Sequence, residues 1–141
     1  MRHLLRTFCV VVLAVLLAPA AFPAERAFPF GQELLLDAQP MRPGKRMPIL
    51  TIELNGDAKI DLWCRTVPAR VELSKSAIRI EPGPLPQELP EMQSAGQCTP
   101  ERIYADEQML AALAGVTSWR WEDSAVLLFG PTNMTFRAAT N

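Results

Sequence analysis

Thirteen prolines fall in this 141-residue chain, and four of them, Pro82, Pro84, Pro86 and Pro90, lie within nine residues. Each lacks a backbone N–H and fixes φ, so this spacing forbids both a helix interior and a central strand. Residues 81–97 are therefore expected to form a long loop of extended, partly polyproline character. The loop divides the chain: the segments before it alternate with the period of strands, and the segment after it carries the one clear helical pattern. Roughly 120 residues beyond the first twenty support one domain with a modest core.

Before the loop, Gln32 to Leu36 reads as a strand, followed by a turn-rich stretch with Arg42, Lys45 and Arg46. These cations suit either a solvated turn or an anionic partner. Pro48 to Leu54 places Leu50, Ile52 and Leu54 on one face, and Asn55-Gly56 signals a two-residue type I′ hairpin. In the strand that follows, Ile60, Leu62 and Cys64 share the core side, while Lys59, Asp61 and Trp63 point away. A second hairpin turns at Ser74-Lys75-Ser76, with Val71 and Leu73 facing Ile78 and Ile80.

After the loop, Thr99 is placed to cap, Pro100 suits the first helical position, Glu101 favours the positive helix start, and Gly115 is expected as a left-handed stop. Ile103, Leu110, Leu113 and Ala114 form the apolar stripe, with Glu101, Asp106, Glu107 and Gln108 outside it. Three short strands follow as a meander, over residues 116–121, 125–129 and 132–137. The fold class is α+β, mainly antiparallel β: a curved sheet or small barrel of seven to eight strands packed on one α-helix at about residues 100–114.

The N-terminus has the features of a secretory signal peptide, residues 1–20. Arg2, His3 and Arg6 precede an apolar run from Phe8 to Leu17, which is about ten residues long and too short for a bilayer span. Ala18-Pro19-Ala20 is the best cleavage motif, placing the cut between 20 and 24, with 21–29 as a flexible lead-in and 30–141 as the domain. Cys9 lies at the start of the apolar run rather than just past it, which disfavours a lipoprotein; the residues leave a retained N-terminal anchor open. Without the leader, twelve basic and fifteen acidic side chains leave a net charge near minus three. That balance gives no reason to expect nucleic acid or acidic lipid as a partner.

Only Cys64 and Cys98 remain after the leader, and in an oxidising compartment such a pair is expected to be bonded. The bond would tie the helix start and the end of the proline loop to the central hairpin. A redox pair or a metal site would compete, but there is no Cys-x-x-Cys spacing, and two thiolates fall short of a tetrahedral set. His3, the one histidine, leaves with the leader, which removes Ser-His and Cys-His catalysis and the commonest metal ligand. The carboxylate pairs Asp57 with Asp61 and Glu122 with Asp123 read as turn residues, and no glycine-rich phosphate loop is present. No catalytic residue, metal or cofactor is assigned. The remaining candidates for an interaction surface are Trp63, Arg65, Trp119 and Trp121, which form an exposed platform unless the helix, the proline loop or barrel closure covers them.

Several segments occur in a recognisable order: Asp61-Leu62-Trp63-Cys64-Arg65, the hairpin from Ala69 to Ile80, Gln97-Cys98-Thr99-Pro100-Glu101, the run Asp106 to Leu113, and Ala125 to Phe129 followed by Met134-Thr135-Phe136. Over about residues 30–137 the chain resembles the META-domain family, which includes the heat-inducible HslJ proteins. The family usually carries Gly-Cys-Asn where this chain has Trp63-Cys64-Arg65, and it commonly has a glycine a few residues later that is absent here. The resemblance implies a small β-rich domain, secreted or periplasmic, linked in some members to stress, and without an established reaction. The expectation is therefore a non-enzymatic, monomeric accessory module of the bacterial cell envelope that meets an envelope protein or small ligand. The alternative is a small-ligand or inhibitor-binding module that uses exposed tryptophans.

Overall fold

A computed structural model describes residues 25–87 and 96–139. The expected leader, its cleavage window and the middle of the proline loop (88–95) lie outside the described residues. Among the described residues, eight strands follow one another: β1 (Glu33–Leu36), β2 (Ile49–Ile52), β3 (Asp57–Asp61), β4 (Thr66–Ser74), β5 (Ala77–Pro82), β6 (Ser118–Glu122), β7 (Ala125–Phe129) and β8 (Met134–Ala138). Their spatial order is their sequence order, every pairing is antiparallel, and β8 returns to β1 to close a barrel. One helix, α1 (Pro100–Ala114), joins β5 to β6 and packs against β5. Among the described residues this is the small antiparallel barrel packed on one helix that the sequence pattern implies.

Period-two alternation explains the core. Leu50, Ile52, Ile60, Val67, Val71, Ile78 and Ile80 turn inward and are buried, while Arg70, Glu72 and Arg79 alternate outward. On that outer face Arg70 lies opposite Glu81 and Glu72 opposite Arg79, so like charges are kept apart. The β4–β5 hairpin has its expected facing pairs, Val71 with Ile80 and Leu73 with Ile78. The lead-in is anchored earlier than expected: Phe28 is buried and stacks edge-on against Trp119, with ring centroids 4.9 Å apart.

The β2–β3 turn differs from the two-residue form that Asn55-Gly56 suggests. The Gly56 N–H donates to the Glu53 carbonyl (3.0 Å) and the Glu53 N–H to the Asp57 carbonyl (2.8 Å), enclosing Leu54, Asn55 and Gly56. Gly56 alone has positive φ, +84°, and Asn55 Oδ1 accepts from the Asp57 N–H at 2.9 Å. A three-residue loop with a left-handed glycine in last place is the result. A Cβ on Gly56 would lie 2.6 Å from the Val71 carbonyl oxygen. Gly56→Ala combines left-handed strain with this clash, so a stability loss of at least about 1–2 kcal/mol is expected. Urea denaturation should show a lower midpoint at unchanged slope; an unchanged midpoint would mean that the turn relaxes freely.

α1 begins as its residues dictate. Thr99 accepts from the Arg102 N–H at 3.4 Å, and Pro100 takes the first position. Its end corrects an expectation: Gly115 has φ −89° and stays right-handed. Space rather than a left-handed turn favours glycine there, since a Cβ on Gly115 would lie 3.0 Å from the Pro131 ring; the neighbouring Gly130 is held more strictly, as its Cβ would lie 2.6 Å from the Gly115 carbonyl oxygen.

The barrel has one weak seam. β5 and β6 share a single paired position, Ala77 with Ser118, whereas β4 and β5 pair over six. Pro82 closes β5, opposite Ala69 of β4, at a position that has no β6 partner.

Candidate functional site

The two cysteines bring the start of α1 against the β3–β4 turn. Cys64 and Cys98 lie at disulfide distance with Cα atoms 5.7 Å apart, inside the range a bridge requires. Cys64 is fully buried. Strand alternation does not carry through to it, because β3 stops at Asp61 and the chain turns, the Leu62 N–H donating to the Arg65 carbonyl at 2.8 Å.

That turn corrects the reading of Trp63 and Arg65 as an outward face. Leu62, Trp63, Cys64 and Arg65 are all buried, because α1 covers the turn. Asp106 holds it from two helical turns inside α1. Its Oδ1 accepts from the N–H groups of Trp63 (3.0 Å) and Cys64 (3.3 Å), and its Oδ2 from Arg65 Nε (3.1 Å). The Arg65 guanidinium also donates to the Ile103 carbonyl at 2.9 Å. Burial pushes the Asp106 carboxyl above its ordinary value, against the opposing pull of Arg65 and the two backbone N–H groups. A turn, a helix and a cysteine pair are thus tied by one ion pair whose carboxylate is wholly excluded from solvent.

The helix face itself differs from the apolar stripe read from sequence. Its buried residues are Arg102, Asp106, Met109, Leu110 and Leu113, while Ala114 is exposed and Ile103 half-buried. The signal was present: positions 102, 106, 109 and 113 follow one helical stripe, and its first two members happen to carry charge.

The tryptophans do not assemble into a platform. Trp119 is buried and its indole N–H donates to the Lys75 carbonyl at 2.7 Å. Trp121 is half-buried, donates to the Ala27 carbonyl at 2.9 Å, and carries the Arg26 guanidinium 3.6 Å above its ring. The lead-in around residues 26–28 therefore covers both. Trp63 lies apart from them, beneath α1.

The carboxylate pairs fall where solvated turn chemistry puts them. Asp57 pairs with Arg70, and Glu122 pairs with Arg120 at 2.7 Å. Burial pushes the Asp61 carboxyl up, but hydrogen bonds from Lys59 and Thr66 and the charges of Lys59 and Arg46 outweigh it and leave it below its ordinary value. Among the described residues, no group of three or more His, Cys, Asp or Glu is placed to hold a metal ion, and no helix is long and apolar enough to cross a membrane. No family model matches the sequence, and neither a curated protein nor a solved structure matches the chain.

Proposed function

We propose that this chain is an exported META-type domain that serves, without catalysis, as an accessory or stress-related interaction module of the bacterial cell envelope. The observation that carries the reading is the pairing of Cys64 with Cys98 at disulfide distance, which suits an oxidising compartment. The ordered resemblance over residues 30–137 supports the family, and the charged start and short apolar run of residues 1–20 support export. The buried ionisable groups Asp106 and Arg65 engage each other and the backbone, which favours a structural role for them over proton transfer. A binding module built on an exposed tryptophan platform is less well supported, since Trp63 and Trp119 are buried.

The test is export itself. Residues 1–24 fused to a phosphatase that matures only in an oxidising compartment should give activity, and the processed chain should begin between residues 21 and 25 by N-terminal sequencing. An inactive fusion together with an unprocessed, cytoplasmic full-length chain would overturn the proposal.

A further inference from the structure

We propose that Trp119 and Trp121 of β6 form a recognition site for an extended peptide segment carrying Arg-x-Phe, and that residues 26–28 of this chain occupy it in place of a partner. This names the partner chemistry of the interaction role given above and rests on that role. The tryptophans present no exposed platform because the chain's own segment lies over them.

The seated segment displays what the site accepts. Phe28 is the anchor: it is 5% exposed and meets Trp119 edge-on, with ring centroids 4.9 Å apart. Two residues earlier, the Arg26 guanidinium stands 3.6 Å over the Trp121 ring. Between them the Ala27 carbonyl accepts from Trp121 Nε1 at 2.9 Å. Two indoles thus engage a cation, a backbone carbonyl and an aromatic ring, and Trp and Arg are among the residues most enriched at binding hot spots. Ala27 is exposed, which leaves the middle position open to any side chain.

The segment is held as a ligand is held and not as a strand. Among the described residues, no backbone-to-backbone hydrogen bond ties residues 25–30 to the barrel, and the first such bond runs from the Gly31 N–H to the Ile52 carbonyl at 2.8 Å. Pro29 has no N–H to offer a ladder and keeps Phe28 extended. At the joint with β1, Gly31 has φ +69°, and a Cβ there would meet only Glu53 Oε2, 3.7 Å away, so little side-chain contact fixes the joint.

The resident sequence is not the best occupant. Arg26 reaches the Asp123 carbonyl only at 3.4 Å, and the Glu25 and Asp123 carboxylates have no partner among the described residues. An acidic residue therefore precedes Arg26 where the segment approaches the acidic turn Glu122-Asp123, a place better matched by a cation. A second copy would bring the same Glu25 and the same contacts, and so would gain nothing to offset the cost of association. A partner with a basic residue before its Arg-x-Phe gains an ion pair over the resident segment.

The probe is a synthetic peptide of residues 25–31, added to the isotope-labelled mature chain while its amide and indole resonances are followed by NMR. At about millimolar peptide, the effective concentration of a tethered competitor, the amides of residues 25–30 should move saturably to unfolded positions while the Trp119 and Trp121 indoles keep folded ones. Phe28→Ala in the peptide should weaken this displacement by about tenfold or more, and Glu25→Lys in the peptide should strengthen it by up to about fivefold. Arg26→Ala in the chain, at an exposed position, should loosen the resident segment and strengthen peptide binding by about two- to fivefold. The proposal is overturned if the amides of residues 25–30 do not move, or if the Phe28→Ala peptide displaces them as well as the parent peptide. Self-association of the chain that the peptide abolishes would assign the site to a second copy and overturn the reading of a separate partner. None of these readouts depends on export, so an inactive phosphatase fusion and a failed displacement remain separate results.

Discussion

Replacing Asp106 with alanine is expected to destabilise the domain by about 3–5 kcal/mol, the range for removing one partner of a buried ion pair. Three donors lose their acceptor at once: the N–H groups of Trp63 and Cys64 and Nε of Arg65. Arg65 keeps its bond to the Ile103 carbonyl but becomes an uncompensated charge in a position 8% exposed. The double variant Arg65→Met/Asp106→Asn separates these contributions. Asparagine retains an oxygen for the two backbone N–H groups, and methionine removes the stranded charge, so the double variant should be more stable than Asp106→Ala by about 1 kcal/mol or more. Urea midpoints at constant slope measure both differences, and a loss below about 1 kcal/mol for Asp106→Ala would show that the turn finds other partners.

The same variant has a pH signature. Burial raises the Asp106 carboxyl in the folded chain above its ordinary value of 3.8. Between these two values the folded state binds more protons than the unfolded one, so this group's contribution to stability falls as pH rises through the window. Asp61 has the opposite sign: its folded carboxyl is lowered, so its contribution is present above 3.8 and is lost as pH falls through the folded value. Asp106→Ala should therefore lose the first slope and retain the second, as read from stability curves across the acid range.

Opening the cysteine pair is the other large perturbation. Cys64 and Cys98 are 34 residues apart, and the chain-entropy relation gives about 3–4 kcal/mol for a closed loop of this size. Cys64→Ala/Cys98→Ala should lower the melting temperature by roughly ten degrees or more, given about 3–5 °C per kcal/mol for a domain of this length. Reductant should reproduce the shift in the parent and leave the variant unaffected. Hydrogen exchange should rise first at residues 96–99 and in the first turn of α1, while β6–β8 stay protected. Equal melting with and without reductant would show that the pair is not covalently joined.

Much of the barrel was legible because its strands obey a local rule. Alternation at Leu50 and Ile52, or at Ile78 and Ile80, specifies which face is buried without knowledge of any partner. Thr99 and Pro100 mark the helix start in the same local way. What escaped depends on contacts distant in sequence. The apolar positions Ile60, Leu62 and Cys64 continue the strand period beyond the point where β3 ends, and the turn that interrupts it is held by Asp106, more than forty residues away. Its charge places Asp106 outside the apolar stripe when the sequence is read alone, although its spacing with Arg102, Met109 and Leu113 lies on the buried stripe. Burial of a charge becomes readable only with its partner, and Arg65 lies 41 residues from Asp106. The pairing of Leu34 with Ala138 likewise leaves no mark on either segment alone.

The unequal seams give the barrel a hidden starting point. β1 and β8 guard one another's edges, and the Ala139 N–H still donates to the Glu33 carbonyl at 2.9 Å beyond the last paired strand. The place where the barrel is nearly open lies mid-chain, between β5 and β6. In connectivity, the domain is therefore a circle of strands whose chain is cut at a paired joint, β8 to β1, while its loosest joint lies mid-chain. Joining the two ends with a short linker and opening the chain after β5 would move the termini to the loose joint, giving a permuted barrel that begins with its helix and ends on β5.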